Sequence, residues 1–316
     1  MFEIIFLGTS ASAPSIHRGL SSAVVIAEDM RFMIDCGEGT QRQILKSGIG
    51  FKKLNHILLT HAHLDHILGL GGLISTFVRW ESLDDIHIYG SKSVLDRVQT
   101  LIFGVVFRNQ APITQIHFHE VSEGILFEHK KFIVRAFPVT HRGKGCFAYA
   151  FEYKAHRRFL ADKADALGVP KGPERGLLSQ GESIYLKTGE LITPDMVLGD
   201  PTPGTKIAFT GDIARTDNIL EQVRNADALV CEATFASQDT DLAHQFGHIT
   251  AKQAAQLAID GNITSLLLTH ISRRYSERII EQDAQAIFPQ SYVVRDFDHY
   301  IVRNGQPLEK LISSHD

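Results

Sequence analysis

Four times in this chain an apolar, strand-like run stops on histidine or aspartate, and that repetition limits the fold to a rigid sheet whose loops carry the chemistry. The first run, His56-Ile57-Leu58-Leu59, leads into Thr60-His61-Ala62-His63-Leu64-Asp65-His66. A stiff turn of this kind lets His61 and His63 converge on one cation while Asp65 and His66 face a second, and neutral imidazoles with a carboxylate suit Zn²⁺ and similar divalent metals. The other runs are Phe132 to Val139 into Thr140-His141, Lys206 to Thr210 into Gly211-Asp212, and Ser265 to Thr269 into His270. Any one of these could be a capped strand end. Together they describe a dinuclear hydrolase site.

Alternating apolar runs place strands near 2–7, 22–27, 31–35, 56–59, 115–120, 132–139 and 147–153, with helices near 40–47, 67–80 and 91–103. After a break the alternation resumes: strands near 206–210, 228–232, 265–269 and 291–296, helices near 215–224, 250–260 and 276–287. Strands and helices in two similar halves predict an α/β fold of the αββα sandwich type. Between Lys154 and Gly204 the periodicity weakens and prolines interrupt it. The expected organisation is therefore a catalytic domain over 1–153 and 205–316 with an insertion over 154–204.

With 316 residues, 44% of them hydrophobic, the chain can bury a large core. No apolar run reaches the roughly 18 residues of a membrane span, and the first residues read as a strand rather than a signal peptide, so a cytoplasmic location and no membrane association are expected. Cys36, Cys146 and Cys231 are isolated and read as buried thiols. A net charge of −4 argues against a generally basic nucleic-acid binder, so any RNA contact must rely on local charge.

The His-x-His-x-Asp-His signature with its later His, Asp and His resembles the metallo-β-lactamase superfamily. Within it, Phe6-Leu7-Gly8-Thr9-Ser10-Ala11-Ser12-Ala13-Pro14, Arg18, Ser21-Ser22 and Ile34-Asp35-Cys36-Gly37-Glu38-Gly39-Thr40-Gln41 resemble ribonuclease Z, the endonuclease that removes 3′ trailers from tRNA precursors. Ala166-Leu167-Gly168-Val169-Pro170-Lys171-Gly172-Pro173 resembles that family's Gly-Pro arm, and Phe246-Gly247-His248-Ile249-Thr250 its accessory histidine motif.

The resemblance implies two Zn²⁺ per subunit, with Mn²⁺ a substitute. His61, His63 and His141 would hold one, Asp65, His66 and His270 the other, and Asp212 would bridge them. It implies a metal-bound hydroxide as nucleophile, Asp65 as ligand and proton acceptor, His248 as general acid, and products with a 3′-hydroxyl on the tRNA and a 5′-phosphate on the trailer. Glu232 is placed either to orient His248 or in a plain salt bridge. Arg18, Gly172, Pro173 and Lys252 are implied substrate contacts, the insertion becomes a protruding tRNA-binding arm with its tip at Gly168 to Gly181, and the partners are precursor tRNA and a second copy in a homodimer. The helix from Leu64 to Trp80, with Phe77, Val78 and Trp80, offers either a dimer face or a core face. Three positions depart from the pattern: Ile249 replaces the usual Ser, Lys252 an Arg, and Gly19 an Asn. The rival reading is a phosphodiesterase of the same fold acting on a small molecule.

Overall fold

The computed structural model describes residues 1–80, 83–108 and 114–311. It separates into two compact units, Met1–Glu152 with Thr205–Asp316, and Tyr153–Gly204.

The larger unit is built on two sheets. One has eight strands, in the order Glu309–Leu311, His299–Val302, Phe2–Gly8, Ser22–Ala27, Met30–Ile34, His56–Leu58, Asp85–Gly90 and Gln115–Glu120. The other has seven, in the order Ser291–Val293, Leu266–Thr269, Ala228–Glu232, Lys206–Phe209, Phe147–Tyr153, Phe132–Pro138 and Gly124–Glu128. Successive strand residues point to opposite faces, so each sheet buries two layers. Between the sheets, Phe2 and Phe32 of the first meet Phe132 and Phe151 of the second edge to face, at centroid distances of 5.4 to 6.4 Å. Such pairs add about 0.5–1.5 kcal/mol each beyond burial.

On the outer face of the eight-stranded sheet, Ile5, Leu7, Met33 and Ile57 pack with Leu70, Leu73, Ile74 and Phe77. Outside the other sheet, Leu229, Cys231, Leu266 and Leu268 pack with Ala251, Ala254, Ala255 and Ile280. Helix, sheet, sheet, helix is the αββα sandwich.

The element boundaries correct several sequence expectations. The helix expected over 67–80 is split into Leu64–Ile67 and Leu70–Arg79. Gly69 is pressed so closely on the chain that a Cβ there would lie 2.0 Å from the Gly37 carbonyl oxygen. The helix expected over 215–224 is reduced to Leu220–Val223, because Arg215 is paired with Asp217 in the preceding turn. His56, His87 and His117 stack in a row across three strands, with ring centroids 5.0 and 4.8 Å apart. Burial pushes His56 down to about 4. All three cysteines are buried free thiols, and no helix among the described residues is long and apolar enough to cross a membrane.

The smaller unit has its own core of Ala164, Val169, Leu178, Ile184, Ile192, Val197 and Leu198. Two short antiparallel strand pairs, His156–Phe159 with Leu198–Thr202 and Ile184–Tyr185 with Leu191–Ile192, and the helices Ala161–Ala166, Pro173–Ser179 and Pro194–Val197 surround it. Its Gly-Pro segment is braced from within. The Arg175 guanidinium donates to the carbonyls of Val169 and Pro170 and pairs with Asp165. Lys171, Gly172 and Pro173 are left exposed.

Candidate metal centre

His61, His141, Asp212 and His270 lie just past the ends of buried strands, while His63 precedes the short helix Leu64–Ile67 that carries Asp65 and His66. Asp212 is the hub. Its Oδ2 lies 3.5 Å from the Nε2 atoms of His61, His66 and His270 and 3.8 Å from that of His141. His141 Nε2 is 3.4 Å from His63 Nδ1, His66 Nε2 is 3.4 Å from His270 Nε2, and Asp65 Oδ2 is 3.5 Å from His270 Nε2.

These separations are too long for good hydrogen bonds. Donors about 2.1 Å from a shared tetrahedral cation stand roughly 3.4 Å apart, which is the spacing observed. Two donor groups result, His61, His63, His141 and Asp212 in one, and Asp65, His66 and His270 in the other. His61 supplies a further test of fit, because its Nε2 is fully buried without a hydrogen-bond partner. An orphaned lone pair facing three other imidazoles and a carboxylate is explained by a cation.

A second layer sets the ring orientations. His66 Nδ1 donates to Asp35 Oδ2 at 2.7 Å, His141 Nδ1 to the Gly247 carbonyl at 2.7 Å, His270 Nδ1 to Thr234 Oγ1 at 2.9 Å, and His61 Nδ1 to Thr60 Oγ1 at 3.0 Å. Tying Nδ1 outward leaves Nε2 free to face inward, the tautomer a ligand needs.

Asp35 does more than hold His66, for it also accepts from the Thr60 amide and hydroxyl, both at 2.8 Å. One buried carboxylate thereby braces a histidine of each donor group. Sequence reasoning missed Asp35, Thr60 and Thr234 as functional residues. Asp35 and His270 both have positive φ, 57° and 56°, a strained conformation that marks the strand ends as constrained.

Electrostatics follow the packing. Burial opposes ionisation of Asp212, but the surrounding His270, His66 and His61 outweigh it and hold the carboxyl well below its ordinary range. Burial and then His66 push His61 well below its ordinary value.

His248 lies at the edge of the cluster, its Nδ1 4.0 Å from Asp212 Oδ2 and 3.0 Å from Glu232 Oε1. Burial lowers its affinity for a proton, yet the Glu232 carboxylate prevails and raises it to about 9. Glu232 also accepts from the Ile213 amide at 2.7 Å and from Thr234 Oγ1 at 2.5 Å. Glu232 is therefore buried, paired with His248 and tied to the backbone beside Asp212. His248 groups with Asp212 and His270 closely enough to share a cation.

The implied substrate contacts fare differently. Arg18 is buried, and its guanidinium donates to Thr9 Oγ1 at 2.5 Å, the Val294 carbonyl at 2.7 Å and Glu277 Oε1 at 2.6 Å. Those bonds make Arg18 a brace for the loop before Ser22. Lys252 is exposed in the first turn of the helix Ala251–Asp260. Gly172 and Pro173 belong to the smaller unit.

Fold and site together define a protein of the metallo-β-lactamase class. The family model described as beta-lactamase superfamily domain matches residues 196–271, and the first half of the chain falls in the sequence family described as Anti-Pycsar protein Apyc1, matched over residues 2–166. Relatives spanning the whole chain are more specific. A ribonuclease Z from Bradyrhizobium diazoefficiens is 44% identical over 302 residues, covering 96% of this chain and 100% of the relative. One from Archaeoglobus fulgidus is 38% identical over 300 residues, covering 94% and 96%. The chain belongs to the ribonuclease Z family. Among solved structures, the short form of human tRNase Z superposes with a TM-score of 0.67 at 24% identity, covering 95% of this chain and 99% of that one, and supports the fold.

Proposed function

We propose that this chain is a metal-dependent endoribonuclease that removes the 3′ trailer from tRNA precursors, leaving a 3′-hydroxyl on the tRNA and a 5′-phosphate on the trailer. The observation that carries this reading is full-length identity with ribonucleases Z, running through the insertion, combined with the two donor groups around Asp212. The imidazole and carboxylate donors suit two Zn²⁺ per subunit, with Mn²⁺ as a substitute. When bound, such cations supply a hydroxide nucleophile near neutral pH and neutralise charge on the phosphoryl oxygens.

The protein's own groups do the rest. His61, His63 and His141 form one side of the site and Asp65, His66 and His270 the other, with Asp212 between them. Asp65 serves as ligand and proton acceptor. His248 is held through Nδ1 by Glu232, which leaves Nε2 to protonate the departing 3′ oxygen. In the smaller unit, the exposed Lys171-Gly172-Pro173 segment offers charge and the backbone amides of Lys171 and Gly172 to tRNA phosphates.

A cytoplasmic location suits this substrate and the buried free thiols. Homodimerisation belongs to the same reading. Phe77 is committed to the core, so along the segment from Leu64 to Trp80 the exposed Leu64, Leu68 and Trp80 are the large apolar residues offered to a partner copy. Light scattering of the purified protein tests that point, and a monomer refutes it.

The experiment for the activity compares kcat/KM for a precursor tRNA with that for a generic phosphodiester chromophore. A strong preference for the precursor is expected. Efficient turnover of the chromophore without tRNA cleavage would instead favour the small-molecule phosphodiesterase.

A further inference from the structure

Arg142 follows His141 directly, and its side chain is already arranged for a ligand. Its guanidinium donates to the Gln245 carbonyl, and Cζ lies 5.1 Å from the centroid of the Phe246 ring. Its stem crosses Gly247, where a Cβ would come within 3.0 Å of Arg142 Cγ. Gly247 has φ of 73° and is the residue whose carbonyl holds His141. Arg142 therefore spans the turn between His141 and His248.

The side chain is exposed, and none of its contacts among the described residues is with a carboxylate. Other arginines spend their charge internally, Arg18 on Glu277 and Arg215 on Asp217. Phe246 itself remains 41% exposed. An arginine held by a carbonyl and an aromatic face, with its charge uncompensated, is preorganised for an anion. On a chain of net charge −4, such local charge is what an RNA strand can use.

We propose that Arg142, steadied by Phe246, binds a backbone phosphate of the single-stranded RNA segment beside the scissile bond. This rests on the precursor-tRNA reading above and adds to it a substrate-positioning residue at the rim of the site. Gly143 and Gly145, with φ of 95° and 77°, let the loop fold back behind Arg142 and bring Lys144 to the same exposed segment as a second cation.

The test uses the full-length, metal-loaded protein. Arg142→Ala should raise KM for precursor tRNA roughly 10–100-fold, the loss of one charge-assisted contact, with kcat changed far less. The slope of log binding constant against log salt should fall by about one. Arg142→Lys should restore the slope but only part of KM, because an ammonium lacks the planar fork. Phe246→Ala should raise KM without changing the slope.

Metal content and thermal stability are measured on every variant. Unchanged KM and salt slope in Arg142→Ala would overturn the assignment. So would loss of metal with a parallel fall in kcat, since Arg142 would then only support the His141 and His248 turns. If the unsubstituted protein fails to cleave precursor tRNA, the family-level activity fails first, and that result is distinct from the other two.

Discussion

The strand-end cluster and the inserted unit treat charge in opposite ways. In the cluster, imidazoles and carboxylates crowd together, and His61 Nε2 is buried there without a hydrogen-bond partner. In the insertion, Arg157 pairs with Asp195 and Arg175 with Asp165, and across residues 153–204 seven Lys and Arg are balanced by seven Asp and Glu. Groups left unsatisfied at a cost in stability point to a ligand, whereas groups satisfied internally build a scaffold. The insertion is therefore not a diffuse basic patch. On the reading proposed above, contact with RNA falls to its exposed groups, Lys171, Gly172 and Pro173 among them.

The largest effect expected on that contrast is at Asp212. Asp212→Ala removes the one carboxylate facing both donor groups and should deplete both metals, measured by elemental analysis. Its activity loss should exceed that of any single histidine variant. Retention of two metals would show that the cluster does not depend on its hub.

Next is His248→Ala, which should keep both metals and lose roughly 10²–10⁴-fold in kcat. Metal loss there would make His248 a ligand, as its proximity to Asp212 and His270 permits. Asp35→Asn is expected to weaken metal affinity roughly 10–100-fold, read by competition with a chelator, because it loosens His66 and Thr60 together. Affinity equal to that of the unsubstituted protein would remove Asp35 from the site.

The smallest effects separate two neighbouring cations of the insertion. Lys171→Ala should lower the salt slope of tRNA binding by about one and leave the unit folded. Arg175→Ala should instead speed hydrogen exchange over residues 161–181, since it deletes an internal brace. The reverse pattern would mean that the exposed and braced roles have been exchanged.

How much of this could be read in the sequence depended on distance along the chain. His61, His63, Asp65 and His66 were legible because they are consecutive after a strand, and His141, Asp212 and His270 because each ends its own apolar run. Asp35 was visible only as part of a motif. Its function is a contact with Thr60 and His66, and that pairing exists only once two neighbouring strands align Ile34 with Leu58. The partner of Arg18 was hidden for the same reason, since Glu277 lies near the other end of the chain. Arg142 carried no spacing signal, and its meaning comes from the turn at Gly247. Local pattern placed the donors, while the residues that orient them were set by tertiary contacts.

The most direct test of the account is to map the ends produced from a precursor tRNA, with and without a chelator. The account predicts a single cut that leaves a 3′-hydroxyl on the tRNA and a 5′-phosphate on the trailer, abolished by chelation and restored by Zn²⁺ or Mn²⁺. Cleavage that persists in the chelator, or a cut that leaves the phosphate on the tRNA, would contradict it.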